Sequence, residues 1–215
     1  MLSPVRRFFE HHDIVTLEKA VAAPPRSPEG LDLVEHPQYS PHVLDVYRGF
    51  ARTFFDEAFL RRRFASGQLF YELREGDRIR ATTFLIPRGE RFVDEIGLGF
   101  PVAEGAPWLR DIFVAPEARG AGRFGMLLDA LLSRLGPKTR VLCSAVEQGN
   151  GTSLRAHLRY GFAPVQRFEV FHLGGAVLIR RRWPPPPQRG SAYRPQARAL
   201  LTGDTYARFL GAHRA

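Results

Sequence analysis

A glycine-rich loop within residues 111–125 carries the clearest chemical signal of the chain, where a short apolar strand leads into a leucine-striped helix. The glycines and arginines of the loop are Arg119, Gly120, Gly122, Arg123 and Gly125. The first amides of a helix lack an intrahelical acceptor, and the helix dipole adds positive potential there. We therefore predict an anion cradle over residues 119–125, suited above all to a pyrophosphate. The alternative is a structural turn, and the spacing fits neither a P-loop nor a dinucleotide fingerprint.

Two motifs in this order resemble the GNAT family, the Gcn5-related N-acetyltransferases. The coenzyme A motif of that family, Arg/Gln-x-x-Gly-x-Gly/Ala, is matched by Arg119-Gly120-Ala121-Gly122-Arg123-Phe124 except at Phe124. We expect Phe124 to point into the core, because it lies four residues before Leu128. The second motif is matched by Asn150, Ser153, Gly161 and Phe162, with His157 at the position of the family's tyrosine. The resemblance covers about residues 31–182.

The resemblance implies a co-substrate, acetyl-CoA or another acyl-CoA, with no metal. Its pyrophosphate would lie on residues 119–125, with Asn150 and Ser153 contributing to the same site. The backbone of Ile112, Phe113 and Val114 would hold the pantetheine arm as an added strand does, and would orient the thioester. The implied reaction is direct attack of an amine on the thioester, without a covalent enzyme intermediate.

That reaction needs two proton transfers. By resemblance Asp111 is the candidate base, with Glu95 and Glu147 as alternates, and a salt bridge to an arginine is the competing interpretation of Asp111. For the acid, His157 and Tyr160 lie on one helical stripe, and either could protonate the departing thiolate. A histidine that only packs in the core is the competing interpretation, and the thiolate could also leave unaided.

The elements that must position these residues form a mixed α/β order. We predict helices from Ser40-Pro41, over 55–64, from the loop to Gly136, and over 152–160. We predict strands over 31–35, 68–74, 78–86, 108–114, 140–146, 168–173 and 176–181. The resemblance implies a mostly antiparallel sheet flanked by helices, whose fourth and fifth strands, Trp108–Val114 and Arg140–Val146, splay apart.

Proline-rich stretches suggest three regions along the chain. Residues 1–29 form an N-terminal extension, with a short helix through His11 and a strand over 14–21. Residues 30–183 form the acyltransferase domain. Residues 184–215 form a proline-rich spacer and a basic tail with helices predicted over 197–201 and 205–210. Residues 180–215 hold eight arginines against the single Asp204, a balance of +7, so most of the net charge of +9 lies at this end of the chain.

Composition excludes several classes of protein. No apolar run reaches the roughly 18 residues of a membrane span, and Cys143 is the only cysteine, so we expect a cytoplasmic protein without disulfides. His11-His12-Asp13 lacks a partner cluster at metal-ligand spacing, so no metal is predicted. Phenylalanines 50, 54, 55, 59 and 64 are expected in the core, with an apolar groove for the acceptor or a longer acyl chain as the alternative.

The leading hypothesis is an acyl-CoA-dependent N-acyltransferase. The acyl group that it transfers is not an aminoacyl group. Acetyl-CoA is the default donor, and the acceptor is a primary amine of a small molecule or peptide. One alternative uses a longer acyl-CoA or an acyl carrier protein, and acylates a peptide, sugar or lipid amine. The other is an inactive binding module whose basic tail binds a polyanion. Because the tail has few aromatic residues, nucleic acid is an unfavoured partner. A homodimer is compatible with the sequence.

Overall fold

The structure is a computed structural model and describes residues 9–50, 52, 55–93, 98–173, 176–183 and 198–199. The chain divides into two compact units. The first unit takes its described residues from 9–19, 90–101 and the part of the chain after 142, and the second unit comprises 20–89 and 102–142. The two units therefore interleave along the sequence.

The bounds of the elements are as follows. The strands are β1 (Phe9–Ala20), β2 (Asp32–His36), β3 (Leu69–Glu75), β4 (Arg78–Ile86), β5 (Gly89–Val93), β6 (Leu98–Val102), β7 (Trp108–Val114), β8 (Val141–Glu147), β9 (Ala163–Leu173), β10 (Ala176–Trp183) and β11 (Arg198–Ala199). The helices are α1 (Pro41–Gly49), α2 (Glu57–Ala65), α3 (Arg123–Leu135) and α4 (Gly151–Arg159), with a 3-10 turn at Pro116–Ala118.

The second unit contains four strands in the order β7-β4-β3-β2, all paired antiparallel. The predicted hairpin forms between β3 and β4, with Gly76 in a positive-φ turn conformation. Helix α1 begins with Pro41 at its first position, as predicted, although the Ser40 side chain makes no capping bond. Helix α3 ends at Gly136, where φ is +71° and a glycine is needed.

The aromatic residues of α1 and α2 form the core of this unit. Fully or nearly buried side chains there are Val43, Leu44, Val46, Tyr47, Phe55, Leu60, Phe70 and Phe84, and Phe50, Phe59 and Phe64 pack against them. The core interpretation of these phenylalanines is confirmed, except for Phe54, which lies outside the described residues. Leu127 and Ala130 of α3 pack against Leu31, Leu73 and Ala81.

The first unit contains the strand order β10-β9-β1-β8 and the helix α4. Strand β1 pairs antiparallel with β9, from Phe9 opposite Leu173 to Glu18 opposite Ala163. The helix predicted through His11 is therefore wrong over 9–11, since pairing with β9 and stacking of His11 on Phe171 favour a strand; residues before 9 lie outside the described part.

A smaller sheet belongs largely to the same unit and has the order β11-β6-β5. Arg198 and Ala199 pair with Gly99 and Leu98. The helix predicted over 197–201 is wrong at these two positions, because a sheet edge offered backbone partners. The rest of that helix, and the one over 205–210, lie outside the described residues.

The predicted fold class, a mixed α/β fold with a mostly antiparallel sheet and flanking helices, is confirmed. Strands β7 and β8 match the predicted fourth and fifth strands to within one residue. Their splay stays a prediction. Among the described residues, the helices are all too short or too polar to qualify as a membrane span.

Candidate active site

Strand β7 carries a bulge at Asp111 and Ile112. Thr82 of β4 faces Phe113 and Phe84 faces Arg110, so two residues of β7 oppose one residue of β4. Asp111 has a φ of +50°, a left-handed conformation that aspartate tolerates better than most residues. Bulges re-aim side chains and free backbone groups from the ladder, and they are common beside active sites. The segment predicted to hold the pantetheine arm, Ile112–Val114, includes this bulge and continues to the end of the strand.

The Asp111 carboxylate lies between two arginines. It accepts a hydrogen bond from Arg63 Nη1 of α2, and Arg110 Nε lies 3.4 Å from Asp111 Oδ2. The Asp111 side chain is 31% exposed, whereas that of Arg63 is almost fully buried. Burial lowers the pKa of Arg63, the neighbouring Arg110 lowers it further, and Asp111 opposes both. The salt bridge that competed with the base role is therefore present, and the base role of Asp111 stays a prediction.

Aromatic rings surround the Arg63 guanidinium and continue to Tyr47. The guanidinium carbon lies 4.4 to 5.2 Å from the ring centroids of Phe55, Phe59 and Phe84. Tyr47 is buried and stacks on Phe55 at 4.0 Å, and its hydroxyl has no hydrogen-bond partner among the described residues. Burial raises the pKa of Tyr47, and the Asp111 charge raises it further. Sequence reasoning missed both Arg63 and Tyr47 as neighbours of Asp111.

The glycine-rich loop leaves open space at the start of α3. Gly120 and Gly122 have φ values of +80° and +70°, and a Cβ at either position would meet no atom within 4 Å. The first helical amide with a backbone acceptor is that of Met126, which donates to Gly122. Residues 123–125 precede this first bonded amide, at the helix N-terminus, where the helix dipole is positive. This is the geometry of an anion cradle.

The two arginines of the loop are placed differently. Arg123 of α3 donates from Nη2 to Glu75 Oε1 at 2.8 Å, and so holds the helix start to the β3–β4 hairpin. Arg119 is exposed, and its Nε donates to the Val114 carbonyl at 3.3 Å. Ala121 is exposed beside them, and Phe124 is half-buried. Arg119 therefore supplies accessible positive charge close in sequence to the start of α3.

Helix α4 of the first unit carries the residues of the second motif. Asn150 caps the helix, its Oδ1 accepting from the Ser153 amide at 3.1 Å. His157 is 1% exposed; its Nδ1 lies 2.8 Å from the Ser153 carbonyl and its Nε2 lies 2.9 Å from Ser144 Oγ. A carbonyl only accepts, so Nδ1 carries the proton and the Ser144 hydroxyl donates to Nε2. Burial lowers the pKa of His157, which keeps the ring neutral.

Tyr160 lies at the C-terminal end of α4 and is half-buried. Lys19 Nζ lies 4.8 Å from the centroid of its ring. Of the alternate bases, Glu147 is exposed with His12 at 3.9 Å, and Glu95 lies outside the described residues. The structure thus brings Asp111, Ile112–Val114 and the loop together in one unit, and Asn150, Ser153, His157 and Tyr160 together in the other.

Comparison with known proteins gives matches of structure alone. No family model matches the sequence, and the search of curated proteins found no match. A protein named as an acetyltransferase of the GNAT family, from Novosphingobium aromaticivorans, is 15% identical with a TM-score of 0.51; the match covers 81% of this chain and 66% of that one.

Two further solved structures are similar. A conserved protein of unknown function from Staphylococcus epidermidis has a TM-score of 0.53 at 15% identity, with 81% of this chain and 69% of that one covered. A Drosophila protein has a TM-score of 0.51 at 15% identity, and the 79% of this chain that matches spans 54% of its length. By its element order and by these matches, the chain has the fold of the GNAT acetyltransferases.

Proposed function

We propose that the protein is an acyl-CoA-dependent N-acyltransferase, with acetyl-CoA as the default donor and a primary amine of a small molecule or peptide as the acceptor. One observation carries the proposal. An open loop with left-handed glycines, at the N-terminus of helix α3, follows a bulged strand in a chain with the GNAT fold. That arrangement suits a donor with a pyrophosphate at one end and an extended amide-bearing arm at the other.

The donor would use the backbone more than the side chains of the second unit. The amides at the start of α3, residues 123–125, would donate hydrogen bonds to the pyrophosphate oxygens, and the exposed Arg119 would add charge. Open space at Gly120 and Gly122 lets phosphate oxygens approach closely. The backbone of Ile112–Val114 would pair with the pantetheine amides, and Asn150 and Ser153 are proposed to contribute from α4.

The proposed reaction is direct acyl transfer from the thioester to the amine, without a covalent enzyme intermediate. The amine nitrogen attacks the thioester carbonyl, a C–N bond forms, the C–S bond breaks, and its electron pair leaves on the thiolate of coenzyme A. The amine must lose a proton, and the partly exposed Asp111 carboxylate is the proposed acceptor, through water. Arg63 and Arg110 hold that carboxylate in a fixed orientation.

The thiolate takes up one proton. His157 is neutral and buried, and its Nε2 already accepts from Ser144, so it has no proton to give at that atom. Tyr160 is half-buried and carries a phenolic hydroxyl that can donate a proton. We therefore place Tyr160 ahead of His157 as the proposed donor, with His157 positioning α4 through Ser144 and Ser153.

Longer donors receive less support than acetyl-CoA. Of the described phenylalanines that could have lined an acyl groove, Phe55 is buried in the core of the second unit and Phe50, Phe59 and Phe64 pack against that core. A carrier-protein donor would need a surface that binds the carrier protein, and the described residues show no feature that supports such a surface. The acyl group is therefore proposed to be small.

Mass spectrometry of the purified chain tests the proposal. We expect a co-purifying thioester of coenzyme A, or saturable one-to-one binding of acetyl-CoA in calorimetry. A panel of primary amines is then screened for release of the free thiol in a colorimetric assay. A folded protein that binds neither acetyl-CoA nor a longer acyl-CoA contradicts the proposal.

A further inference from the structure

Three potential metal ligands converge on one face of the sheet in the second unit. Val34 of β2 pairs with Glu72 of β3, so His36, two residues further along β2, lies on the same face as Glu72. His42 comes from the first turn of α1. The three residues are separated by up to 36 positions in the chain, so no short sequence motif contains all of them.

Their ligand atoms are close enough to share one ion. His42 Nε2 lies 2.7 Å from Glu72 Oε1, His36 Nε2 lies 3.2 Å from the same oxygen, and all three atoms lie within 4.8 Å of one another. Ligands at the bond lengths of Zn²⁺ lie about 3.4 Å apart in a tetrahedral site. The His42 side chain is 42% exposed, so a small rotation of its imidazole away from Glu72 brings the three ligand atoms to that spacing.

Without a cation, the polar atoms of the cluster have conflicting or missing hydrogen-bond partners among the described residues. A hydrogen bond from His42 to Glu72 needs the proton on Nε2, yet Arg74 Nη2, a donor, lies 3.2 Å from the same nitrogen and needs a lone pair there. His36 Nε2 is buried without a hydrogen-bond partner among the described residues, despite its closeness to the carboxylate. Glu72 is itself fully buried. An ion that takes both Nε2 lone pairs and Glu72 Oε1 satisfies all three atoms.

Arg74 already has the arrangement of a supporting residue. It donates to Glu72 Oε2 from Nε at 2.8 Å and from Nη2 at 2.6 Å, which turns the other oxygen, Oε1, toward the two imidazoles. Ligating carboxylates in metal sites are held by such outer hydrogen bonds. The charge of Arg74 is paired with Oε2, so Oε1 remains for the ion.

We propose that His36, His42 and Glu72 form a binding site for one divalent transition-metal ion of the Zn²⁺ class. Two imidazoles and one carboxylate suit Zn²⁺ and disfavour Mg²⁺ and Ca²⁺, which prefer oxygen ligands. Three protein ligands leave a fourth position for water on the exposed side of His42. The ion joins α1 to strands β2 and β3, and the proposal is independent of the acyltransferase reaction.

Calorimetric titration of the untagged full-length protein with ZnCl₂, after treatment with a chelator, tests the site. We expect one Zn²⁺ per chain, no comparable binding of Mg²⁺, and a Tm about 5–10 °C higher when Zn²⁺ is near 100 times its Kd. His36→Ala and His42→Ala should each lower the affinity at least about tenfold. Co²⁺ should give the visible absorption of a four-coordinate site.

The control is His11→Ala, because His11 is about as exposed as His42 but belongs to the first unit, whereas the cluster belongs to the second. It should bind Zn²⁺ like the unmodified chain. Circular dichroism shows whether each variant folds. The proposal is overturned if the unmodified chain binds no stoichiometric Zn²⁺, if binding survives in folded His36→Ala and His42→Ala, or if His11→Ala loses as much affinity as they do.

Discussion

Asp111 combines a left-handed backbone, a bulge and an ion pair with a buried arginine. Strained conformations of this kind persist only where the surroundings hold them. Here the buried Arg63 guanidinium requires a counter-charge, and the carboxylate provides it. The contact that would orient Asp111 as the proposed base therefore also stabilises the fold around it.

Asp111→Asn tests this double role, because asparagine tolerates the same backbone conformation but removes the charge. We expect a loss of about 2–3 kcal/mol in the free energy of unfolding, since Arg63 is left buried without its partner. In the double variant Arg63→Met/Asp111→Asn much of this loss should be recovered. Urea unfolding measures both, and a single variant as stable as the unmodified chain would contradict the ion-pair role.

His157 gives a pH dependence that follows from its burial. Its folded-state pKa is lowered, whereas in the unfolded chain the imidazole titrates near about 6.5. Its contribution to stability is therefore present above about pH 6.5 and declines as the pH falls below that value toward the folded pKa. We expect His157→Gln to flatten the dependence of unfolding free energy on pH between about 7.5 and 5. An unchanged slope in a folded His157→Gln variant refutes the assignment.

At the scale of elements, Gly105 fixes where β8 begins. Its carbonyl accepts from the amides of Arg140 and Val141, and its φ is +73°. A Cβ there would lie 2.6 Å from the Lys138 carbonyl oxygen, whereas one at Gly76, also at positive φ, would meet nothing within 4 Å.

Gly105→Ala should therefore destabilise the chain by about 3 kcal/mol or more, from strain and overlap together. Gly76→Ala should cost only about 1 kcal/mol, for the left-handed backbone alone. Thermal and urea unfolding of the two variants provide the comparison. Equal losses would mean that the contact at Lys138 relaxes freely.

The elements that local chemistry defines were predictable, and those that depend on distant partners were not. The Glu75-Gly76-Asp77 turn and the leucine stripe of α3 were sufficient to predict their elements. Strands β5 and β6 were missed, because charged residues interrupt one, and Gly99 and Pro101 interrupt the other.

The same division holds for the candidate site. The cradle is local and was predicted from its glycines. The pairing of Asp111 with Arg63 joins residues 48 positions apart, and the convergence of His36, His42 and Glu72 depends on sheet register. Sequence spacing carries no signal for either.

At the scale of the whole molecule, the positive charge is concentrated in residues 180–215, while the rest of the chain is nearly balanced. The pairing of Arg198–Ala199 with β6 favours a tail that docks on its own chain over one that serves a polyanion. The binding-module alternative requires a tail that binds a polyanion rather than docking on its own chain.

Truncation after Trp183 distinguishes the two. We expect a lower Tm in the truncated chain, because β6 loses its partner β11, and no strongly salt-dependent DNA binding in either form. Thermal unfolding is run beside a DNA titration at two salt concentrations. An unchanged Tm, with salt-sensitive DNA binding only in the full-length chain, would instead support the binding module.

If the cradle at the start of α3 binds the pyrophosphate of an acyl-CoA, as proposed, then Gly122→Asp should weaken that binding, because it places a side chain and a negative charge beside the pyrophosphate. The matched control is Gly136→Asp at the other end of the same helix; both glycines have φ near +70° and open space around a Cβ. Calorimetry with coenzyme A should show more than a tenfold loss of affinity, above about 1.4 kcal/mol, in Gly122→Asp alone. Circular dichroism shows whether each variant folds. Unchanged affinity in a folded Gly122→Asp, or an equal loss in a folded Gly136→Asp, would contradict binding of the pyrophosphate at this loop.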